Sequence, residues 1–351
     1  MSEQAYKKLI SGETRGVMAT VARGVLSVLS FPYGWVMAIR NKAFDRGWKP
    51  VYSVERPVIA IGNLTTGGTG KTPIVAAVVK LLQKQGHRPG IVSRGYGADS
   101  TGINDEKRVL EIVCPGVPHE QNPDRVAAAR KLITEADVTV IVLDDAFQHR
   151  RIGRDLDILL VDATNPFGYG SVLPRGLLRE PMTNLRRADL VLITRSDQVS
   201  ESTLQQIEDT ITRQKSLLEK KTGRVSFQPT GLLTAAGDQQ PFTVMQHKAV
   251  MVVTAIGNPA AFVDTCTQMG ATVVATQFFP DHHLYSRKEL DDVVEQARKA
   301  GDTPILTTLK DLVKIPNEYN NMVAVQIEAR FESASGDRIL SDELIRVTNI
   351  Y

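Results

Sequence analysis

The chain has 351 residues, more than one hydrophobic core usually serves, so two domains are expected. Apolar content of 42% with 23% charged residues is the balance of a globular enzyme. Two distant cysteines, Cys114 and Cys266, and six histidines without an H-x-x-x-H pair exclude the common metal spacings, and two buried thiols in a reducing compartment are expected.

The net charge of +3 conceals an asymmetry. Residues 1–56 carry nine basic side chains against four acidic ones, and the rest of the chain is slightly acidic. Within this segment Val17 to Ile39 is mostly apolar, interrupted by Arg23, Gly24, Pro32 and Gly34. Arg23 and Pro32 argue against a spanning helix, which needs about 20 predominantly apolar residues. No small-residue cleavage site follows, so a secretory signal is not expected. An amphipathic helix lying in an anionic membrane surface fits better, with Arg15, Arg40, Lys42 and Lys49 flanking it. The competing reading is a helix packed on the protein's own core. Stacking aromatics and nucleic-acid modules are missing, so no nucleic-acid partner is expected.

The apolar run Val58 to Ile61 leads into Gly62-Asn63-Leu64-Thr65-Thr66-Gly67-Gly68-Thr69-Gly70-Lys71-Thr72, and apolar periodicity resumes from Pro73 to Leu82. Strand, glycine loop and helix in that order form the context of a phosphate-binding loop. The backbone from Thr65 to Gly70 would curl its N–H groups around phosphates, Lys71 would reach them, and Thr72 would offer its hydroxyl to Mg²⁺. The first glycine of the pattern G-x-x-x-x-G-K-[ST] falls at Thr65, so the match rests on Gly67, Gly68, Gly70, Lys71 and Thr72.

Gly90 to Gly97 reads as a short strand ending in a glycine-flanked turn that contains Arg94. With the intervening helix it makes a right-handed βαβ unit, so the sheet is parallel. Asn104-Asp105-Glu106 opens a helical stretch, with acids suited to a first turn. Residues 124–136 form a further predicted helix. Val138 to Leu143 is a buried strand that delivers Asp144 and Asp145 at its carboxyl end, where the Mg²⁺-side acid of phosphate-loop enzymes sits. Strands over 157–161 and 189–194 bracket an arginine-rich stretch containing Arg175, Arg179, Arg186 and Arg187, which suits an anionic substrate or a solvated face. Thr194-Arg195-Ser196-Asp197 is a faint match to the guanine-reading [NT]-K-x-D element, with arginine in place of lysine. A polar helix over 201–223 and a Gly/Gln/Pro loop through Pro241 then suggest a boundary. The expected organisation is an interfacial segment 1–56 attached to a nucleotide-binding unit 57–223, a linker 224–247 and a smaller α/β unit 248–351. In the last unit strands are expected at 249–254, 271–277, 304–307 and 322–327, with helices at 260–269 and 286–300.

The sequence resembles the tetraacyldisaccharide 4′-kinase (lipid A 4′-kinase) family over most of its length. The resemblance is carried by the phosphate loop, Ser93-Arg94-Gly95-Tyr96-Gly97, Asp124-Arg125, Leu143-Asp144-Asp145-Ala146-Phe147-Gln148-His149, Leu178-Arg179-Glu180-Pro181, Phe279-Pro280-Asp281-His282-His283 and Thr307-Thr308-Leu309-Lys310-Asp311. It implies a P-loop NTPase-type, mostly parallel sheet flanked by helices, with a second smaller α/β domain. It also implies γ-phosphate transfer from ATP, with Mg²⁺, to the 4′-hydroxyl of a tetraacyl glucosamine disaccharide 1-phosphate, a lipid A precursor. The expected setting is the cytoplasmic face of the inner membrane, with the enzyme acting as a monomer on that surface. Asp105 is implied as the base, supported by His282. Arg94, Glu106, His149, Arg179 and Glu180 are implied around the substrate or just behind it.

Three departures from the family pattern stand out. Its GDEP segment is Asn104-Asp105-Glu106-Lys107 here, its DDGFQ has Ala146 for glycine, and its TTEKD has Leu309 for glutamate. The alternative from another class is a nucleotide-dependent switch or assembly ATPase/GTPase at the membrane.

Overall fold

The computed structural model of the chain describes residues 3–95, 104–332 and 334–349, so Tyr96 and Gly97 of the glycine-flanked turn lie outside the described residues. Helices α1 (Glu3–Ser11) and α2 (Val17–Asp45) come first. β1 (Val58–Asn63) runs into α3 (Lys71–Lys84), followed by β2 (Pro89–Ser93), α4 (Asp105–Val113), β3 (His119–Gln121) and α5 (Arg125–Glu135). Then come β4 (Val140–Leu143), β5 (Leu156–Asp162), β6 (Leu190–Thr194) and α6 (Glu201–Gln214). β1, β4, β5 and β6 are buried along their whole length, as parallel strands are when helices cover both faces. Side chains of Asn104, Asp124 and Ser200 accept backbone N–H groups and start α4, α5 and α6.

The predicted linker 224–247 is the main departure from expectation. Its first part belongs to β7 (Thr222–Thr234), which pairs in parallel with β6 through Val225 and antiparallel with β12 (Met322–Phe331) from Val225 onward. Pro229 and Gly231 read as turn signals, but the ladder shifts register opposite Gln326 and Ile327 and absorbs them as an irregularity. Downstream lie β8 (Gln239–Gln240), β9 (Ala249–Thr254), α7 (Pro259–Gln268), β10 (Thr272–Phe278), α8 (Arg287–Lys299), β11 (Ile305–Thr308), α9 (Leu309–Leu312) and, after β12, α10 (Ala334–Thr348). One twelve-stranded sheet results, in the order β10-β9-β11-β12-β7-β6-β5-β1-β4-β2-β3 with β8 on β7. Among the described residues its pairings are parallel except β7 with β12 and β7 with β8. α10 also departs from the expected division, because Leu340, Leu344 and Val347 join the core around β1 and α3.

α2 is one helix from Val17 to Asp45, with Pro32 inside it. One face is bolted to the body: the Ser30 hydroxyl donates to the Val172 carbonyl, Tyr33 Oη to the Arg179 carbonyl, and Asn41 Nδ2 to Glu180. The other face is apolar and open, with Val17, Val21, Val25, Val28, Trp35, Val36 and Ile39 between 54% and 80% exposed.

Candidate active site

The phosphate loop is built by its neighbours as much as by its glycines. Gly67 and Gly70 have φ of +112° and +79°, and a Cβ on Gly70 would lie 2.3 Å from the Phe227 ring on β7. Thr65 can stand where the pattern has glycine because it is buried without a positive φ and bridges to Leu178. Asn63 Nδ2 donates to the Thr65 carbonyl at 2.8 Å, and the Thr194 hydroxyl donates to the Thr69 carbonyl at 2.9 Å. Arg195, from the stretch compared with a guanine-reading element, turns instead to the loop: it donates to the Gly68 carbonyl at 2.9 Å and pairs with Asp162. Lys71 and Thr72 open α3 at the mouth of a cavity of about 1470 Å³.

Beside the loop, the carboxyl end of β4 presents Asp144 and Asp145. Asp145 adopts φ 48° and accepts from Arg179 at 2.9 and 3.0 Å, with Lys71 Nζ 3.5 Å away. Burial opposes its charge, yet Lys71 and Arg179 hold its carboxyl down at about 2. Asp144 is pushed the other way, up to about 7, first by burial and then by the charge of Glu106. Its Oδ1 is buried and has no hydrogen-bond partner among the described residues. Two carboxylates, one with an unpartnered oxygen, beside a threonine hydroxyl and a phosphate loop form a donor set that fits Mg²⁺.

The third wall joins both halves of the sheet. Asn104 caps α4 by accepting from Lys107 N at 2.9 Å and is itself held by Gln121 Nε2 at 2.7 Å. The unfamiliar Asn104 therefore places Asp105 in the first helical turn, while Lys107 lends the cap only its backbone N–H. His282, in the turn after β10 with φ 61°, brings Nδ1 within 3.0 Å of Asp105 Oδ2. Burial would raise the Asp105 carboxyl, but the hydrogen bond from His282 and the charge of Lys310 bring it below the ordinary carboxylate range. The same hydrogen bond raises the imidazole, against burial and Lys310. Glu106 pairs with Lys310 at 3.3 Å.

Arg94, Glu106, His149, Arg179 and His282 line the cavity with the phosphate loop. Burial and the charges of Arg125, Arg154, Arg151 and Arg40 hold His149 neutral, at about 4. Glu180 does not reach the cavity: fully buried, it binds Arg187 at 2.9 Å, Asn41 at 2.7 Å and Asn184 at 2.8 Å. Sequence reasoning did not assign Arg40, Tyr33, Arg195, Phe227 or Lys310 to the site. Lys310 had a signal, since its motif was already among the resembling stretches, whereas Phe227 lay inside the supposed linker.

The family profile described as tetraacyldisaccharide-1-P 4′-kinase (LpxK) matches residues 22–344. A tetraacyldisaccharide 4′-kinase of Anaeromyxobacter dehalogenans (strain 2CP-C) is 34% identical over 96% of this chain and 91% of its own. Another from Geobacter metallireducens is 37% identical over 83% and 88%. The crystal structure of LpxK from Aquifex aeolicus, described as an "apo" form in complex with ATP, is 26% identical. It covers 93% of this chain and 99% of its own, with a TM-score of 0.73. With the match spanning both halves of the sheet, the chain belongs to the tetraacyldisaccharide 4′-kinase family.

Proposed function

We propose that this chain transfers the γ-phosphate of ATP to the 4′-hydroxyl of a tetraacyl glucosamine disaccharide 1-phosphate, with Asp105 accepting the hydroxyl proton. The observation that carries the reading is one cavity lined both by the phosphate loop and by His282, whose Nδ1 engages Asp105. Phosphoryl transfer needs positioning, charge neutralisation and a proton acceptor, and each requirement has a group here. The loop amides and Lys71 bind and orient the phosphates. Thr72, Asp144 and Asp145 would hold Mg²⁺, which neutralises phosphate charge when bound. Arg179 orients Asp145, and Arg94 and His149, which line the same cavity, would meet the sugar. Among the described residues α2 is the single helix long and apolar enough to cross a membrane. Its bolted face and open apolar face favour seating in a membrane surface, which we take to be the cytoplasmic face of the inner membrane, with the chain acting there as a monomer and the active site held against the lipid headgroups. Thin-layer separation after incubation with labelled ATP tests the reading. Label in the lipid supports it, whereas lipid-independent release of phosphate alone overturns it in favour of a nucleotide switch.

A further inference from the structure

The imidazole of His282 faces three groups from three places in the fold. Asp105 Oδ2 of α4 lies 3.0 Å from Nδ1, Lys310 Nζ of α9 lies 3.4 Å from Nε2, and Asp281 on its own turn lies 4.0 Å from Nε2. Two further charges border the group: Glu106 holds Lys310 at 3.3 Å, and Lys314 is held by Asp311 at 3.2 Å. Taken alone, the position of His282 on the cavity and of Asp105 behind it, its side chain 9% exposed, suits the imidazole as proton acceptor.

The contact with Lys310 disfavours that option. An ammonium has three donors and no acceptor, so the ring nitrogen it meets must present a lone pair. The ring proton then sits on Nδ1 and is donated to Asp105. A second proton on Nε2 would face the ammonium directly, while Asp281, at 4.0 Å, is too distant to hold it by a hydrogen bond.

We propose that Lys310 is a positioning residue that engages Nε2 of His282, opposes a second proton there, and so leaves Asp105 as the acceptor of the substrate proton. The hydroxyl O–H bond breaks, its proton goes to an Asp105 oxygen, and the electron pair stays on the attacking oxygen. The inference rests on the Asp105–His282 reading above, and its test separates the two.

The full chain is labelled with ¹⁵N-histidine, and His282→Gln identifies the His282 signals. In the wild type neutral His282 should carry its proton on Nδ1, with Nε2 bare. In Lys310→Met the His282 titration midpoint should move upward by about one unit, a tenfold change in the ratio of neutral to charged ring. The acid limb of kcat should follow it, and kcat near neutrality should fall by up to about tenfold, part of the about 10²–10⁴ that a general base supplies. KM for ATP should hold, and Lys310→Arg should restore much of the loss. A wild-type proton on Nε2, an unmoved midpoint in Lys310→Met, or full kcat despite a moved midpoint overturns the proposal. The wild-type spectrum decides even if Lys310→Met does not fold. Unimpaired turnover in Asp105→Asn would instead sink the base assignment, while the spectrum still reports on the Lys310 contact.

Discussion

The phosphate side of the cavity and its proton-accepting side are built in opposite ways. The first comes from one continuous stretch, Asn63 to Thr72, whose strand, turn and helix follow one another and whose shape is locked from outside by Thr194, Arg195 and Phe227. The second joins Asp105 to His282, 177 positions apart, through the turn after β10 with His282 in a left-handed conformation and 48% exposed. Groups that need many converging backbone amides are easiest to supply from one loop. A carboxylate–imidazole pair needs a single contact, so the fold can assemble it from two distant segments and can also loosen it.

Loss of Lys71 should expose this contrast most sharply. Lys71→Ala should lower kcat about 10³-fold, the upper range for one preorganised contact to developing charge. Transfer of labelled phosphate to lipid measures it, and near-normal turnover would remove the loop from the mechanism.

The opposite wall should respond as a unit. Asp105→Ala and His282→Ala should each cost about 10²- to 10⁴-fold in kcat, and the double variant should be little worse than the poorer single one. A carboxylate base loses activity as pH falls through its pKa. Since the hydrogen bond from His282 keeps Asp105 below its ordinary range, His282→Ala should move the acid limb of kcat to higher pH. Additive losses with an unmoved limb would mean that the two side chains serve separate tasks.

A smaller effect is expected where the loop meets β7. Gly70→Ala adds a Cβ at 2.3 Å from the Phe227 ring and strains a backbone at φ +79°. A left-handed non-glycine residue costs about 1–2 kcal/mol, so KM for ATP should rise about tenfold or more. Phe227→Leu in the same chain should return part of the loss, and no recovery would mean that backbone strain alone is responsible.

The smallest change in turnover should come from the open face of α2. Val21→Ser, Val28→Ser and Trp35→Ser together should leave kcat in detergent micelles within about twofold, because these side chains touch neither wall of the cavity. Flotation with anionic vesicles should nevertheless fall strongly, since each large apolar side chain contributes about 1.5–3 kcal/mol when buried. High salt should release the unaltered protein only partly, as buried apolar area is not screened. Equal flotation of both proteins would end the interfacial reading of this helix.

Much of the molecule is legible in its residue order. Buried parallel strands such as β1, β4, β5 and β6 announce themselves as short unbroken apolar runs, and the phosphate loop is visible because its chemistry occupies consecutive positions. Asp144 and Asp145 follow from their place at a strand's carboxyl end. β7 does not, because Pro229 and Gly231 carry turn signals that one irregular register step overrides. α10's return to the first core and the burial of Glu180 beneath α2 depend on which distant surfaces meet. The same holds for Arg195 on the phosphate loop and for Lys310 at Nε2 of His282, where strand order brings together side chains whose sequence spacing carries no periodic signal. Residue order thus determined the elements and the phosphate chemistry, since both are encoded over a few neighbouring positions. Only the tertiary structure decided which nitrogen of His282 faces Asp105 and which faces Lys310, because that depends on how the turn after β10, α4 and α9 pack together.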